Sequence, residues 1–182
     1  MGFFDKFIKF FSVKKQASVS EINYTAQKLV IDGKEIDFPI HIEILSEILG
    51  KPRATEFETD DELRAWLEKS EGVGMVTRRV NYAWDDLGLL AYTNNGTVAK
   101  CFSVLLKPSD LKYAPRSVYK GKLTINGNDW FSAMKTGENG QFLSEYVLGD
   151  YKITAEKSDF SKDVSECSSE DFNCVDIQIL RR

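Results

Sequence analysis

Apolar and polar residues alternate in short runs along most of this chain, the spacing of half-buried strands rather than of long helices. The pattern is clearest on either side of one turn chemistry used twice. Lys28-Leu29-Val30-Ile31 leads into Asp32-Gly33 and Lys34-Glu35-Ile36, and Lys122-Leu123-Thr124-Ile125 leads into Asn126-Gly127 and Asn128-Asp129-Trp130. Asp-Gly and Asn-Gly tolerate positive φ at both central positions of a type I′ turn, so each segment predicts a tight hairpin. Beyond each hairpin lies a second shared string: Leu45-Ser46-Glu47-Ile48-Leu49-Gly50 in the first half, Leu143-Ser144-Glu145-Tyr146-Val147-Leu148-Gly149 in the second. Both read as a short helix ended by glycine, and strands follow at Arg53 to Phe57 and Tyr151 to Glu156. In the first copy Ile44, Leu45, Ile48 and Leu49 share a face, and Gly50-Lys51-Pro52 stops the helix. The chain thus predicts two diverged hairpin–helix–strand units, over 28–57 and 121–156. Convergence on two common local motifs is the alternative.

The remaining stretches fill in around these units. Phe3, Phe4, Phe7, Ile8 and Phe11 fall on one face of an amphipathic helix, with Asp5, Lys6 and Lys9 opposite. Three placements suit so apolar a face: docking on its own domain, a partner or second copy, or a membrane surface assisted by Lys14 and Lys15. Ser12 to Thr25 reads as a polar linker. Thr59 to Lys69 predicts a helix, with Thr59 and Glu62 as a capping box, Asp60 and Asp61 at its positive end, and Leu63, Trp66 and Leu67 on its apolar face. Val76 to Trp84, Leu89 to Tyr92 and Val98 to Leu106 predict an antiparallel meander. In its first turn, Asp85-Asp86-Leu87-Gly88, an aspartate bonds the backbone, Gly88 takes an unusual φ and Trp84 fills the core; the functional alternative makes Asp85, Asp86 and a neighbouring aromatic an exposed recognition patch. Lys107 to Lys120 is a long loop, Met134 to Gly140 a flexible one, and the serine- and acid-rich Lys157 to Phe172 a mobile excursion. Cys174 to Leu180 alternates as a last strand.

Composition narrows the function classes. The chain has 182 residues, 42% hydrophobic and 29% charged, with a net charge of −4. That suits one α+β domain over 26–182, mainly antiparallel sheet with short helices, preceded by the helix and linker of 1–25. The acidic balance argues against a nucleic-acid surface. No run approaches the roughly 20 apolar residues of a membrane span. Cys101, Cys167 and Cys174 lack a framework or metal spacing, which predicts reduced thiols in a cytoplasmic compartment. Cys101 and the single histidine, His41, sit among apolar neighbours and read as structural. No P-loop, nucleophile elbow or HExxH motif occurs. No catalytic, cofactor or metal residue is assigned, and a non-enzymatic role is expected.

The order Ile31-Asp32-Gly33, Asp37-Phe38-Pro39, Leu45 to Arg53, then Tyr82 to Tyr92, then Tyr119 to Gly127 resembles an uncharacterised bacterial domain family similar to toxin-immunity proteins of type VI secretion and Rhs-type polymorphic toxin systems. The resemblance covers residues 28 to 132, and its motifs are structural. It implies a small acidic binding protein that occludes a cognate toxin in the cytoplasm. The residues to expect at such an interface are Asp60, Asp61, Glu62, Asp85 and Asp86, the acidic loop Asp159 to Asp171, and Trp66, Trp84 and Trp130 if exposed. The alternative is a membrane-surface or scaffold protein anchored by the phenylalanine-rich helix.

Overall fold

A computed structural model describes residues 18–26, 28–37, 39–57, 79–135, 144–163 and 166–179, with residues 65 and 69 singly. The predicted N-terminal helix, the flexible loop of 136–140 and most of 59–69 lie outside these residues. Thirteen strands, two α-helices and a 3-10 turn have their bounds among them, and Ala65 and Lys69 are helical. In chain order the strands and α-helices are β1 (Glu21–Tyr24), β2 (Lys28–Ile31), β3 (Lys34–Asp37), β4 (Ile40–His41), α1 (Ile42–Leu49), β5 (Arg53–Phe57), β6 (Arg79–Trp84), β7 (Leu89–Thr93), β8 (Val98–Leu105), β9 (Lys122–Ile125), β10 (Asn128–Asp129), α2 (Trp130–Ala133), β11 (Glu145–Leu148), β12 (Tyr151–Lys157) and β13 (Phe172–Ile179). The class is α+β and strand-rich, as the alternation predicts.

Two sheets form. One is ordered β10-β9-β1-β2-β3, the other β11-β12-β13-β8-β7-β6-β5, with β4 added beside β8. Cross-strand register sets their faces. Ile153, Ile177, Phe102, Ala91 and Tyr82 lie in one row across the larger sheet, and Ala155, Val175, Val104, Leu89 and Trp84 in the next. These residues share a single apolar cluster with Ile22, Tyr24, Leu29, Ile31, Leu123 and Ile125 of the smaller sheet and Ile42, Leu45 and Leu49 of α1. Period-two alternation on both sheets thus builds one core between them.

The two hairpins are type I′ turns as expected: φ is 47° and 78° at Asp32 and Gly33, and 50° and 78° at Asn126 and Gly127. They flank β1 on opposite sides and run in opposite senses, since β1 pairs antiparallel with β2 and parallel with β9. Each turn also ties back to β1. Asp32 donates its N–H to the Glu21 carbonyl at 3.0 Å, and Asn126 donates to the Tyr24 carbonyl at 2.8 Å.

Three expectations are corrected. Glu21–Tyr24 is no linker but the central strand of the smaller sheet, with Ile22 and Tyr24 wholly buried. Glu145–Leu148 is a strand rather than a helix: Leu148 pairs with Tyr151 across a two-residue loop in which Gly149 takes φ 62°, so this glycine closes a hairpin instead of capping a helix. The helix of the second segment is α2, directly after β10, where the Asp129 carboxylate caps the Ser132 N–H at 3.0 Å. In α1 the buried stripe is Ile42, Leu45 and Leu49, and Ile44 stands 45% exposed.

Candidate functional site

The residues expected at an interface separate into distinct environments. Trp84 and Trp130 are core residues and present no anchor at the surface. Trp84 spans from β6 to the end of α1, where its Nε1 donates to the Gly50 carbonyl at 2.7 Å. Trp130 stacks edge-on against Phe131 and Phe172. Asp60, Asp61, Glu62 and Trp66 lie outside the described residues, as do Phe3, Phe4, Phe7, Ile8 and Phe11. Asp86 is exposed on the β6–β7 turn.

Asp85 is a structural anchor. Arg53 of β5 grips it with two bonds, Nε to Oδ2 at 2.9 Å and Nη2 to Oδ1 at 2.8 Å. The same guanidinium donates to the carbonyls of Lys112 and Ala114, and Asp85 accepts the Arg116 N–H. The Arg53 bond holds the Asp85 carboxyl below its ordinary range. The strap of residues 106–121 is thereby held at 112–116, where Tyr113 and Ala114 lie beside Leu90, Tyr92 and Leu105 of the larger sheet, and its end enters the core at Tyr119. Gly88 allows the strap to approach closely: a Cβ there would lie 2.1 Å from the Tyr119 nitrogen. The turn reading of Tyr82 to Gly88 describes this segment: Trp84 is in the core, Asp85 is held by Arg53 and Asp86 is exposed.

The acid-rich segment after β12 is built rather than loose. Ser158 donates its N–H and hydroxyl to the Asp171 carbonyl at 2.8 and 2.9 Å, and Lys162 pairs with the Asp171 carboxylate at 2.6 Å. Ser168 and Asp171 form a capping box around the 3-10 turn Ser169–Asp171. Lys162 and Ser168 hold the Asp171 carboxyl down at about 2. Lys107 of the strap donates to Ser158 at 2.9 Å. On this stapled base Phe160 stands 79% exposed, the most exposed of the large apolar side chains described. Asp159, Asp163, Glu166 and Glu170 are exposed around the same loop.

Between the strap and the sheet lies a cleft of about 240 Å³, its wall formed in part by Leu90, Tyr92, Leu105, Tyr113, Glu156 and Cys174. Its floor continues into a polar row, because Thr154, Asp176 and Ser103 pair directly across β12, β13 and β8. Among the described residues, Asp176 Oδ1 is buried without a hydrogen-bond partner. Burial pushes this carboxyl up to about 6, against the pull of Ser103 and Cys174. Burial likewise raises the Cys101 and Cys174 thiols and the Tyr92 hydroxyl. High thiol values make these cysteines poor nucleophiles. No group of three metal-ligating side chains occurs among the described residues. The sequence marked neither Phe160 nor Asp176. An isolated phenylalanine in a serine-rich run was the available signal for the first, and a lone acid among the alternating apolar residues of β13 for the second.

No helix among the described residues is long and apolar enough to cross a membrane. Comparison with curated proteins and with solved structures gives no match. The family model for a domain of unknown function, DUF7738, matches residues 21–140, from β1 through both hairpins, the meander, the strap and α2. That span is well over half of the chain, and it begins with the strand that the smaller sheet is built on. The chain therefore belongs to the DUF7738 family.

Proposed function

We propose that this protein is a non-catalytic binding protein of the immunity type, which neutralises a cognate bacterial toxin in the cytoplasm by covering it. The supporting observation is the pair of segments 158–163 and 166–171, stapled to each other. They hold Phe160 in water at 79% exposure amid exposed carboxylates. An exposed aromatic among acids that outnumber the neighbouring Lys157 and Lys162 suits a basic partner with an apolar pocket: the ring supplies contact energy, and the acids steer the encounter. The test is co-purification with the product of the adjacent gene, and rescue of cells that express it. Phe160→Ala combined with Glu166→Lys and Glu170→Lys is expected to cut capture by about tenfold or more with the melting temperature unchanged. Capture and rescue that survive this variant move the interface elsewhere, and failure of both in the parent protein removes the reading.

Two finer features belong to the same proposal. The hairpins β2–β3 and β9–β10 derive from a duplicated unit. Matching turn angles, opposite placement about β1 and the paired N–H bonds to its two ends support this. The segment with Phe3, Phe4, Phe7, Ile8 and Phe11 forms an amphipathic helix that docks on its own domain, on a partner or on a membrane surface. Liposome flotation of the full chain beside one lacking residues 1–13 tests the last case, and equal flotation excludes it.

A further inference from the structure

The second hairpin, α2 and β11 meet beside the core around a cleft of about 280 Å³. Its wall is formed by Ile125, Asn126 and Asn128 of the hairpin, Ser132 and Ala133 of α2, and Tyr146 of β11. The backbone that carries these residues is pinned. Asn126 donates its N–H to the Tyr24 carbonyl at 2.8 Å, Gly127 donates to Asn23 Oδ1 at 3.0 Å, and the Asp129 carboxylate caps the Ser132 N–H. The polar side-chain groups are not committed in this way. Among the described residues, no hydrogen bond engages the Asn126 amide, the Ser132 hydroxyl or the Tyr146 hydroxyl, and the Asn128 amide reaches only the Asn126 carbonyl, at 3.5 Å. Asn126, Asn128 and Ser132 are exposed, whereas Tyr146 and Ala133 are half-buried against the core. None of the six lining residues carries a charge.

A lining without charge gives an ion or a phosphorylated ligand no counter-charge. Amides and hydroxyls each donate and accept, so they suit a ligand whose own groups do both. Neighbouring hydroxyls on a sugar ring are such groups: one amide can meet two of them, and an aromatic side chain packs on the C–H face of the ring. The volume is just below the roughly 300 Å³ at which small-molecule pockets begin, which suits a single ring. We propose that this cleft binds one neutral pyranose, with Asn126 and Asn128 hydrogen-bonding its hydroxyls and Tyr146 and Ala133 packing on its C–H face. The same ring occurs as a free sugar and at the end of a glycan chain. The cleft shares no residue with the Phe160 segments, so this assignment and the toxin reading stand or fall separately.

Heteronuclear NMR titration of the full chain tests the assignment, because the side-chain amide signals of Asn126 and Asn128 report on the cleft directly. The probes are glucose, galactose, N-acetylglucosamine and its β-linked disaccharide, against glycerol, inorganic phosphate and N-acetylglycine methylamide. At least one of the sugars is expected to shift both amides saturably, with a Kd on the order of 1 mM and about tenfold tighter than the three controls. Preference for the disaccharide over N-acetylglucosamine identifies a chain end as the ligand, and the reverse order a free sugar. Asn128→Ala is expected to lower sugar affinity by about tenfold at an unchanged melting temperature, because the residue is exposed. Tyr146→Phe, which keeps the ring against the core, is expected to lower it by about threefold. No saturable shift with any sugar at about 50 mM overturns the proposal. So does equal or tighter binding of phosphate or of the peptide amide, or an affinity indifferent to Asn128→Ala.

Discussion

Asp176 sets the chain's most distinctive acid–base property. Its carboxyl ordinarily titrates near 3.8 and is pushed up to about 6 here. The groups around it are Ser103 and Thr154 across the strands, Cys174 and Gln178 on its own, Cys101 and Glu156 on the diagonals, and Tyr24 from the smaller sheet. The folded state thus holds a proton that the unfolded chain has released. Folding is favoured by this residue below about pH 3.8, and the contribution is lost as pH rises through 6. Asp176→Asn is expected to raise stability at pH 7 by about 2 kcal/mol and to flatten the pH 4–7 limb of a urea-denaturation series. A parent limb that is already flat there contradicts this. Residue-level chemistry was the least legible part of the sequence. Asp85 is the first of two turn aspartates and Asp176 a lone acid between Val175 and Ile177, and neither setting shows that one meets Arg53 across 32 positions and the other meets a buried sheet face. Only the strand register decides between those fates.

At the scale of elements, the strap depends on two contacts that mutation can separate. Asp85→Ala leaves Arg53 half-buried without its carboxylate, and is expected to cost about 2 kcal/mol and to speed amide exchange over 112–116. Because the paired carboxyl sits low, its contribution is present above pH 3.8 and is lost as pH falls through its depressed value. Asp85→Asn is therefore expected to shallow the acid limb below pH 4, a window separate from that of Asp176. Gly88→Ala presses a Cβ into the Tyr119 backbone at φ 69°, and about 3 kcal/mol or more of lost stability is expected by calorimetry. Gly127→Ala, at φ 78° with open space around it, is expected to cost only about 1 kcal/mol. The elements that could be read from sequence were those with their own punctuation. The hairpins carry Asp-Gly and Asn-Gly, α1 ends on glycine and proline, and the meander has polar turns. Glu21–Tyr24 has only four residues in a serine-rich setting, so its burial comes from its neighbours rather than its own pattern. Leu143 to Gly149 misled because leucine and glutamate favour a helix while Tyr146 and Val147 favour a strand, and pairing with β12 decided the outcome.

For the whole molecule, the class and the antiparallel character follow from alternation, whereas the strand order does not. Nothing local in Glu21–Tyr24 points to Lys122–Ile125. Yet Glu21 and Lys122, 101 positions apart, are joined by an ion pair at 3.0 Å alongside the parallel pairing of their strands. That arrangement has a consequence during synthesis. The hairpin of β2 and β3 can close on β1 as soon as it leaves the ribosome, but the other side of β1 stays open until about a hundred more residues have been made. A nascent chain halted before Lys122 is therefore expected to expose one bare strand edge to chaperones. Release of the chain past Asp129 should abolish that capture, making the second hairpin the latch on which the first half waits.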